Sequence, residues 1–328
     1  MLLQQKHPEI SVIMSVYNGS NYLEESINSI LNQTFENFEL IVINDNSNDE
    51  TLKVLSQIKD SRLKVKHNSV RLGQGESLNV AIKIARGKYI ARQDHDDLSC
   101  NNRLYTQHKF MEENPEIGLV GSGANFIDES GKHIKTWSNF SDCITLKWLL
   151  LFRNQFIHSS IMFRMSVIKK NNISYKDFKF SQDYELWMRI VSKTCIANID
   201  DSLVMIRRHS DQKSSSTNPQ KSLIPREISF NKISELKHID IDEHINLRSL
   251  IYSKSNLRES KVIISTYLNL ISLYNKFLKD KSCECWNDTT EVSKWIKNLS
   301  KKRIKYLLKN NFFSGIVVLI IFLRTRLP

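Results

Sequence analysis

Apolar, β-branched runs alternate with amphipathic segments along the first hundred positions. Ile10–Tyr17 is largely apolar and stops at Asn18-Gly19, which reads as a buried strand followed by a turn. Leu23, Ile27, Ile30 and Leu31 then recur at i, i+4, i+7 and i+8, one apolar helical stripe. Asn21 is placed to cap that helix, with Glu24 three residues on in capping-box spacing. Phe38–Ile43 reads as a second buried strand, closed by the polar run Asn44–Asp49. Leu52, Leu55 and Ile58 mark a second helix, Arg62–Lys66 a third strand, and Asn68–Gly75 a loop. Ser77–Ala85 reads as a third helix, with Gly87 as its C-cap. A fourth strand, Lys88–Ala91, then leads into Arg92-Gln93-Asp94-His95-Asp96-Asp97.

This β-α-β-α-β-α-β order with short connections predicts a mostly parallel α/β sheet flanked by helices on both faces. In such sheets ligands bind beyond the carboxyl ends of the strands. The polar residues at those ends are Tyr17-Asn18, Asp45 and Asp94–Asp97, so three separate strands deliver them to one rim. Downstream, Asn101–Glu113 reads as a helix and Ile117–Ile127 as a strand. Glu129–Lys132 reads as a hairpin turn and His133–Trp137 as its return strand. Cys143–Phe152 follows as an apolar helix, Phe156–Arg164 as a strand, and Tyr184–Val191 as a short helix opening just after Gln182-Asp183. From about residue 216 helices dominate and Lys and Ser rise.

Length and charge add a second region. A chain of 328 residues exceeds one ordinary core, and the character change divides it into residues 8–215 and a basic, mainly helical extension over 216–328. The net charge is +12. Residues 1–220 hold 27 Lys and Arg against 25 Asp and Glu, whereas residues 221–328 hold 20 against 10. That asymmetry implies an anionic partner for the last third, a membrane surface or a nucleic acid. No aromatic-interleaved nucleic-acid motif accompanies it, which favours the membrane. Val292, Trp295, Ile296 and Leu299 recur at helical spacing among lysines, and Phe312–Leu323 is nearly all apolar. That tail reaches only ~18 Å as a helix, short of the ~30 Å needed to span. It reads as lying in the membrane interface, with a buried core helix as the alternative. The five cysteines are scattered, with no paired C-x-x-C. That suits a reducing cytoplasm. Met1–Pro8 is polar and lacks a signal-peptide core. The expected location is the cytoplasm, at the inner face of the cell membrane.

Asp94, Asp96 and Asp97 place three carboxylates in four positions. Hard divalent cations take carboxylate oxygens, and Mg²⁺ is typically held by one or two of them plus substrate phosphates. A bare D-x-D reads more simply as a solvated turn; here its strand-end position and its partners from other strands favour a cation. Asp45 suits a ribose hydroxyl or a base N–H, or an Asx turn. Asp183 opens a helix, where the macrodipole favours a carboxylate. It reads as an N-cap or as a general base, and pattern alone favours the cap. His158 and His209 are further candidates beside the structural reading of each, and Arg207-Arg208-His209 suits a diphosphate. Gly73-Gln74-Gly75 lacks a third glycine and follows the third strand, which disfavours a Rossmann dehydrogenase.

With these residues in place, Glu9 to Ser215 resembles the bacterial glycosyltransferase family 2 catalytic domain of the GT-A type. Five stretches carry the resemblance, in order: Ser11–Asn18, Ile43–Ser47, Ala85–Asp97, His158–Arg164 and Gln182–Trp187. The resemblance implies that Tyr17, Asn18 and Asp45 contact the nucleoside, with Arg71 and Asn79 near the nucleotide. It makes Asp94 and Asp96 the D-x-D pair, with Asp96 on a Mg²⁺ or Mn²⁺ ion and His209 at a basic or metal-facing position. It makes Asp183 the base that deprotonates an acceptor hydroxyl. The implied reaction moves a sugar, with inversion, from a nucleotide-sugar donor (a UDP-sugar) to a glycan or lipid-linked acceptor. The implied setting is synthesis of a cell-surface polysaccharide, O-antigen or capsule. The chain departs from the family pattern at His95, often a small residue, at Gln182, often acidic, and at Ser159, often proline. Two other classes compete. A nucleotidyltransferase would carry a Gly-rich basic loop after the first strand, where this chain has Tyr17-Asn18-Gly19-Ser20. A non-enzymatic anion binder would use the basic tail and show steep salt dependence.

Overall fold

The computed structural model describes residues 7–138, 142–210, 212, 220–252, 260–279, 292–294, 296–299 and 301. The chain forms two compact units, Met1–Ser141 with Gln155–Lys221, and Asp142–Asn154 with Ser222–Pro328.

The first unit is built on one nine-stranded sheet. Strands β1 (Ile10–Val16) and β2 (Phe38–Asn44) are buried at every position, as their unbroken apolar sequence requires of strands covered on both faces. β3 (Leu63–His67) sits outside β2 and alternates between half-buried and exposed residues, as an edge strand should. β4 (Tyr89–Arg92) pairs with the other side of β1. These four strands are all parallel. Helices α1 (Leu23–Leu31), α2 (Thr51–Gln57) and α3 (Gln74–Ile84) connect them. The remainder is mixed: β8 (Met162–Arg164) runs antiparallel to β4 and to β6 (Ile117–Ile127), and β9 (Cys195–Arg207) runs parallel to β6. β5 (Leu98–Ser99) closes the order antiparallel to β9, and β7 (His133–Trp137) hangs on β6 as a hairpin. These directions place the ends of β1, β2, β4 and β9, and the start of β8, on one rim.

Several local expectations change. Asn21 does not cap α1; the cap position is Tyr22, without a side-chain bond. Gly87 does not close α3, which ends in extended backbone at Ala85. Its role is close approach: a Cβ there would lie 2.5 Å from the Ser11 nitrogen, and its N–H donates to Ser11 Oγ at 2.8 Å. The expected strand over 156–164 is a 3-10 turn at His158–Ser160 followed by only three strand residues. Ser159 and Ser160 spend their hydroxyls on nearby groups, Ser160 on the Ile157 carbonyl at 2.9 Å, which competes with the ladder. β9 was hidden in sequence because Asp200 and Asp201 interrupt its apolar run.

In the second unit, α5 (Cys143–Leu150) is capped by Asp142, whose carboxylate accepts from Ile144 and Thr145 N–H. It clusters with α8 (Gln220–Leu236), α9 (Ile241–Tyr252) and α10 (Ser260–Lys279). Trp148 meets Phe152, Tyr274 and Phe277 edge-on. Val292 and Ile296 are buried, and Ser293 Oγ lies 2.6 Å from Tyr274 Oη. The apolar face expected at a membrane interface is thus, at those two positions, covered by protein. Trp295, Cys283, Cys285 and the Phe312–Leu323 tail lie outside the described residues. Among the described residues no helix is long and apolar enough to cross a membrane.

Candidate active site

A cavity of about 690 Å³ opens on the rim of the first unit. It brings together Tyr17, Asn18, Asp45, Arg71, Asp94, Asp96 and His209, seven of the nine residues expected from sequence.

One wall is built from β1, β2 and the loop before α3. Asn18 takes left-handed backbone at φ 52°, a conformation asparagine tolerates. Ser47 Oγ accepts its N–H at 3.0 Å, and its side-chain oxygen accepts from Asn48 N–H at 3.0 Å. The Arg71 guanidinium stacks 3.7 Å from the Tyr17 ring centroid, a cation–π contact. Asp45 is the hub of this wall. Its carboxylate accepts from the N–H groups of Leu72 and Gly73, each at 2.8 Å, and from Asn68 Nδ2 at 2.9 Å. Burial works to raise its pKa, but these bonds and Ser77 prevail and hold it below the usual carboxylate range. Asp45 therefore shapes the 68–73 loop, including the seat of Arg71. Asp45→Ala should cost about 1–3 kcal/mol by orphaning those donors. Because the folded pKa is depressed, the stabilisation is present above the unfolded carboxylate value and is lost as pH falls through the folded one. Urea unfolding should show the variant's deficit at neutral pH and a smaller one near pH 3.

The opposite wall carries the acidic cluster. Asp94, Asp96 and Asp97 each offer an oxygen within 4.8 Å of the others. Asp94 is ion-paired to the fully buried Arg92 and accepts from Ser159 Oγ at 2.8 Å and Gln74 Nε2 at 3.1 Å. Burial works to raise its pKa, but Arg92 and then the neighbouring His158 outweigh it and hold it far below the ordinary range. Asp97 is buried, and burial together with the charges of Asp96 and Asp94 pushes its carboxyl well above the ordinary range. Ser159 Oγ contacts both Asp94 and Asp97. Asp96 differs from both. Its Oδ2 faces His209 Nε2 at 3.0 Å and Gln212 Nε2 at 3.3 Å, while its Oδ1 has no partner among the described residues. This all-oxygen set with one open carboxylate oxygen on the cavity fits a hard divalent cation.

Between the walls, His158 Nε2 lies 3.0 Å from Tyr175 Oη. Burial and then Arg92 push the His158 pKa down to about 3, and burial, with the Asp183 and Asp94 charges, pushes the Tyr175 hydroxyl up. The Tyr175 hydroxyl thus orients a neutral His158 imidazole through its Nε2. His95 lines the cavity and packs on Gly19, where a Cβ would come within 2.3 Å of His95 Cδ2. Of the basic triplet, Arg208 and His209 line the cavity. Arg207 is buried instead, with its N–H on Asp97 at 3.0 Å and its guanidinium on Glu25 at 2.6 Å.

Two expected residues are elsewhere. Asn79 does not line the cavity. Its amide clamps the Tyr175 backbone, donating to the carbonyl and accepting from the N–H, both at 2.8 Å. Asp183 does not line it either and is not the cap of α7 (Gln182–Ile190). The cap is Ser181 in left-handed backbone, and Asp183 sits half-buried in the first turn. Arg92, Ser159, Gln74 and Tyr175 were missed in sequence. A charged residue at a buried strand end before three carboxylates was a usable signal for Arg92; Tyr175 gave none.

Residues 11–171 match the family model for glycosyl transferase family 2. An uncharacterized glycosyltransferase of Haemophilus influenzae is 34% identical over 280 residues, spanning 80% of this chain and 87% of that protein. The chain belongs to glycosyltransferase family 2. Another similar protein is the O-antigen biosynthesis glycosyltransferase WbnJ of Escherichia coli, 36% identical over 62% of this chain and 82% of its own length. Residues 1–349 of S. aureus TarS, crystallised with UDP-GlcNAc, align over 94% of this chain and 90% of theirs, with a TM-score of 0.60 and 21% identity. At that identity the fold is what is shared, and it is the GT-A arrangement that the motifs implied. In this family 2 glycosyltransferase the cavity therefore sits where the sheet's strand ends converge.

Proposed function

We propose that this chain is an inverting, metal-dependent glycosyltransferase that uses a UDP-sugar. Its acceptor is a hydroxyl on a glycan or lipid-linked glycan in cell-surface polysaccharide synthesis. The observation that carries the reading is the open Oδ1 of Asp96, set beside two carboxylates that the protein itself ties down. Asp96, with Asp94 and His209 adjacent, would hold a Mg²⁺ or Mn²⁺ ion, which when bound supplies positive charge for the leaving diphosphate. Tyr17, Asn18 and Arg71 offer a flat, polar seat for the nucleoside. The acceptor oxygen attacks the anomeric carbon as the bond to the phosphate oxygen breaks on the opposite face. The acceptor proton passes to Asp183, and configuration inverts. UDP-GlcNAc in TarS and the O-antigen role in the name of WbnJ support this choice of donor and product.

The test is binding and turnover together. UDP with Mn²⁺ at a hundredfold excess over Kd should stabilise the protein by about 2.7 kcal/mol, read as a thermal shift that EDTA removes. Asp96→Ala should abolish that shift and lower turnover roughly 10²–10³-fold. An unchanged shift and rate would sink the proposal. The charge of residues 221–328 supports an anionic membrane surface as partner. The full chain should float with anionic but not neutral liposomes and lose this when residues 302–328 are removed; unaltered flotation would refute a membrane role for the tail.

A further inference from the structure

Sugar transfer needs two substrates, and the cavity described above accounts for one. A second cavity, of about 760 Å³, shares Arg71, Gly73 and Gln74 with the first. Its far side comes from the irregular segment before α7, which contributes Lys176, Phe178, Lys179 and Phe180. Cationic side chains here do not add up to a phosphate site. Lys176 is paired with Glu185 at 3.0 Å, Arg71 is stacked on Tyr17, and the third cation, Lys179, shares the space with the carboxylates of Glu76 and Asp177. What remains is two half-buried aromatic rings set among amide and charged side chains of both signs. That composition suits an uncharged sugar ring, whose C–H face packs on an aromatic surface while its hydroxyls donate and accept around the edge.

The shared wall is itself ordered. Gln182 Nε2 donates to Gln74 Oε1 at 2.7 Å, and Gln74 Nε2 donates to Asp94 Oδ1 at 3.1 Å. Gly75 makes room for this pair, since a Cβ there would lie 2.6 Å from Gln182 Oε1. A two-amide chain thus runs from the second cavity to the acidic cluster of the first; Asp183 follows Gln182 in α7 without lining either cavity.

We propose that the second cavity binds the sugar of the acceptor, stacked on Phe178 and Phe180, with its reacting hydroxyl directed at the Gln74–Gln182 wall. This rests on reading the first cavity as the donor site. The experiment uses the full chain with UDP and Mn²⁺. Saturation-transfer NMR is recorded against the methyl glycosides of glucose, galactose, mannose, N-acetylglucosamine and rhamnose. At least one glycoside should receive saturation in the presence of UDP. Its affinity should fall roughly tenfold in the Phe178→Ala/Phe180→Ala double variant, while the UDP thermal shift stays the same. Phe178→Leu/Phe180→Leu, which keeps apolar volume without a flat ring, should behave as the alanine variant does and guards against a folding defect. Saturation of no glycoside, equal saturation in the variants, or displacement of the glycoside by UDP would each overturn the proposal. Absence of the UDP shift in the unaltered chain would instead overturn the donor reading.

Discussion

Asp183→Asn should slow sugar transfer by about 10²–10⁴-fold, the usual consequence of removing a general base, with UDP and Mn²⁺ binding unchanged. The substitution keeps the shape of the side chain and removes its ability to take a proton. Asp183 lies in the first turn of α7, where the helix N-terminus favours a carboxylate. It lies two residues past the cap position, which Ser181 occupies in left-handed backbone without a side-chain cap bond. Its charge is felt by Tyr175, whose backbone Asn79 clamps and whose hydroxyl meets His158 on the first cavity. Steady-state kinetics should therefore show kcat falling while KM for the donor holds. A variant that turns over at the normal rate would exclude Asp183 as the base and leave it a first-turn charge.

Arg92→Met should destabilise the first unit by about 3–5 kcal/mol, because it breaks a buried ion pair and strands one partner. Arg92 is wholly buried, is ion-paired to Asp94 and reaches Ser159 Oγ at 3.3 Å. Its Nε and Nη2 have no acceptor among the described residues, so Asp94 is its principal compensation and it is that of Asp94. Arg103, also buried, lies close by, and burial and then Arg92 lower its pKa to about 9. Arg103 does not replace Arg92, since its donors already serve Gln107, Gln93, Ser99 and the Arg92 and Ile161 carbonyls. The pH dependence has a definite sign. Asp94 has a depressed folded pKa, so its pairing stabilises the protein above the unfolded carboxylate value, and the benefit disappears as pH falls through the folded one. Chemical denaturation should show a large gap between variant and parent at pH 7 that narrows in acid. Arg92→Lys, which keeps the charge, should recover part of it. A variant as stable as its parent at pH 7 would show that Asp94 is held by Ser159 and Gln74 alone.

Legibility in the sequence followed the range of the interaction. The first four strands and three helices were readable because their apolar runs report burial directly, and their order dictated parallel pairing. The half-sheet that follows was read less well. β9 carries two aspartates in mid-strand, and the segment around His158 is held in a 3-10 turn by serine hydroxyls that apolar periodicity does not record. The acidic cluster and Tyr17, Asn18 and Asp45 meet at one cavity, as their strand-end positions in a parallel sheet led one to expect. Asn79 lies outside the cavity lining, on the Tyr175 backbone, because matching a motif position does not say which way a helical side chain points.

The amino-acid sequence by itself determined the α/β frame, the rim where three strand ends and their polar residues meet, and the presence of three carboxylates there. Those are consequences of short-range pattern and of strand direction. Only the tertiary structure decided how the carboxylates divide their tasks. Arg92 holds the Asp94 carboxyl far below the ordinary range, burial and its two neighbours push the Asp97 carboxyl well above it, and Asp96 alone of the three keeps an oxygen with no partner among the described residues. Three chemically identical side chains within four positions become different because desolvation and charge act through space, over contacts from residues 65 to 113 positions away. The same reason placed Gln182 against Gln74, 108 residues apart, and so set a wall between two cavities that no local pattern in the chain announces.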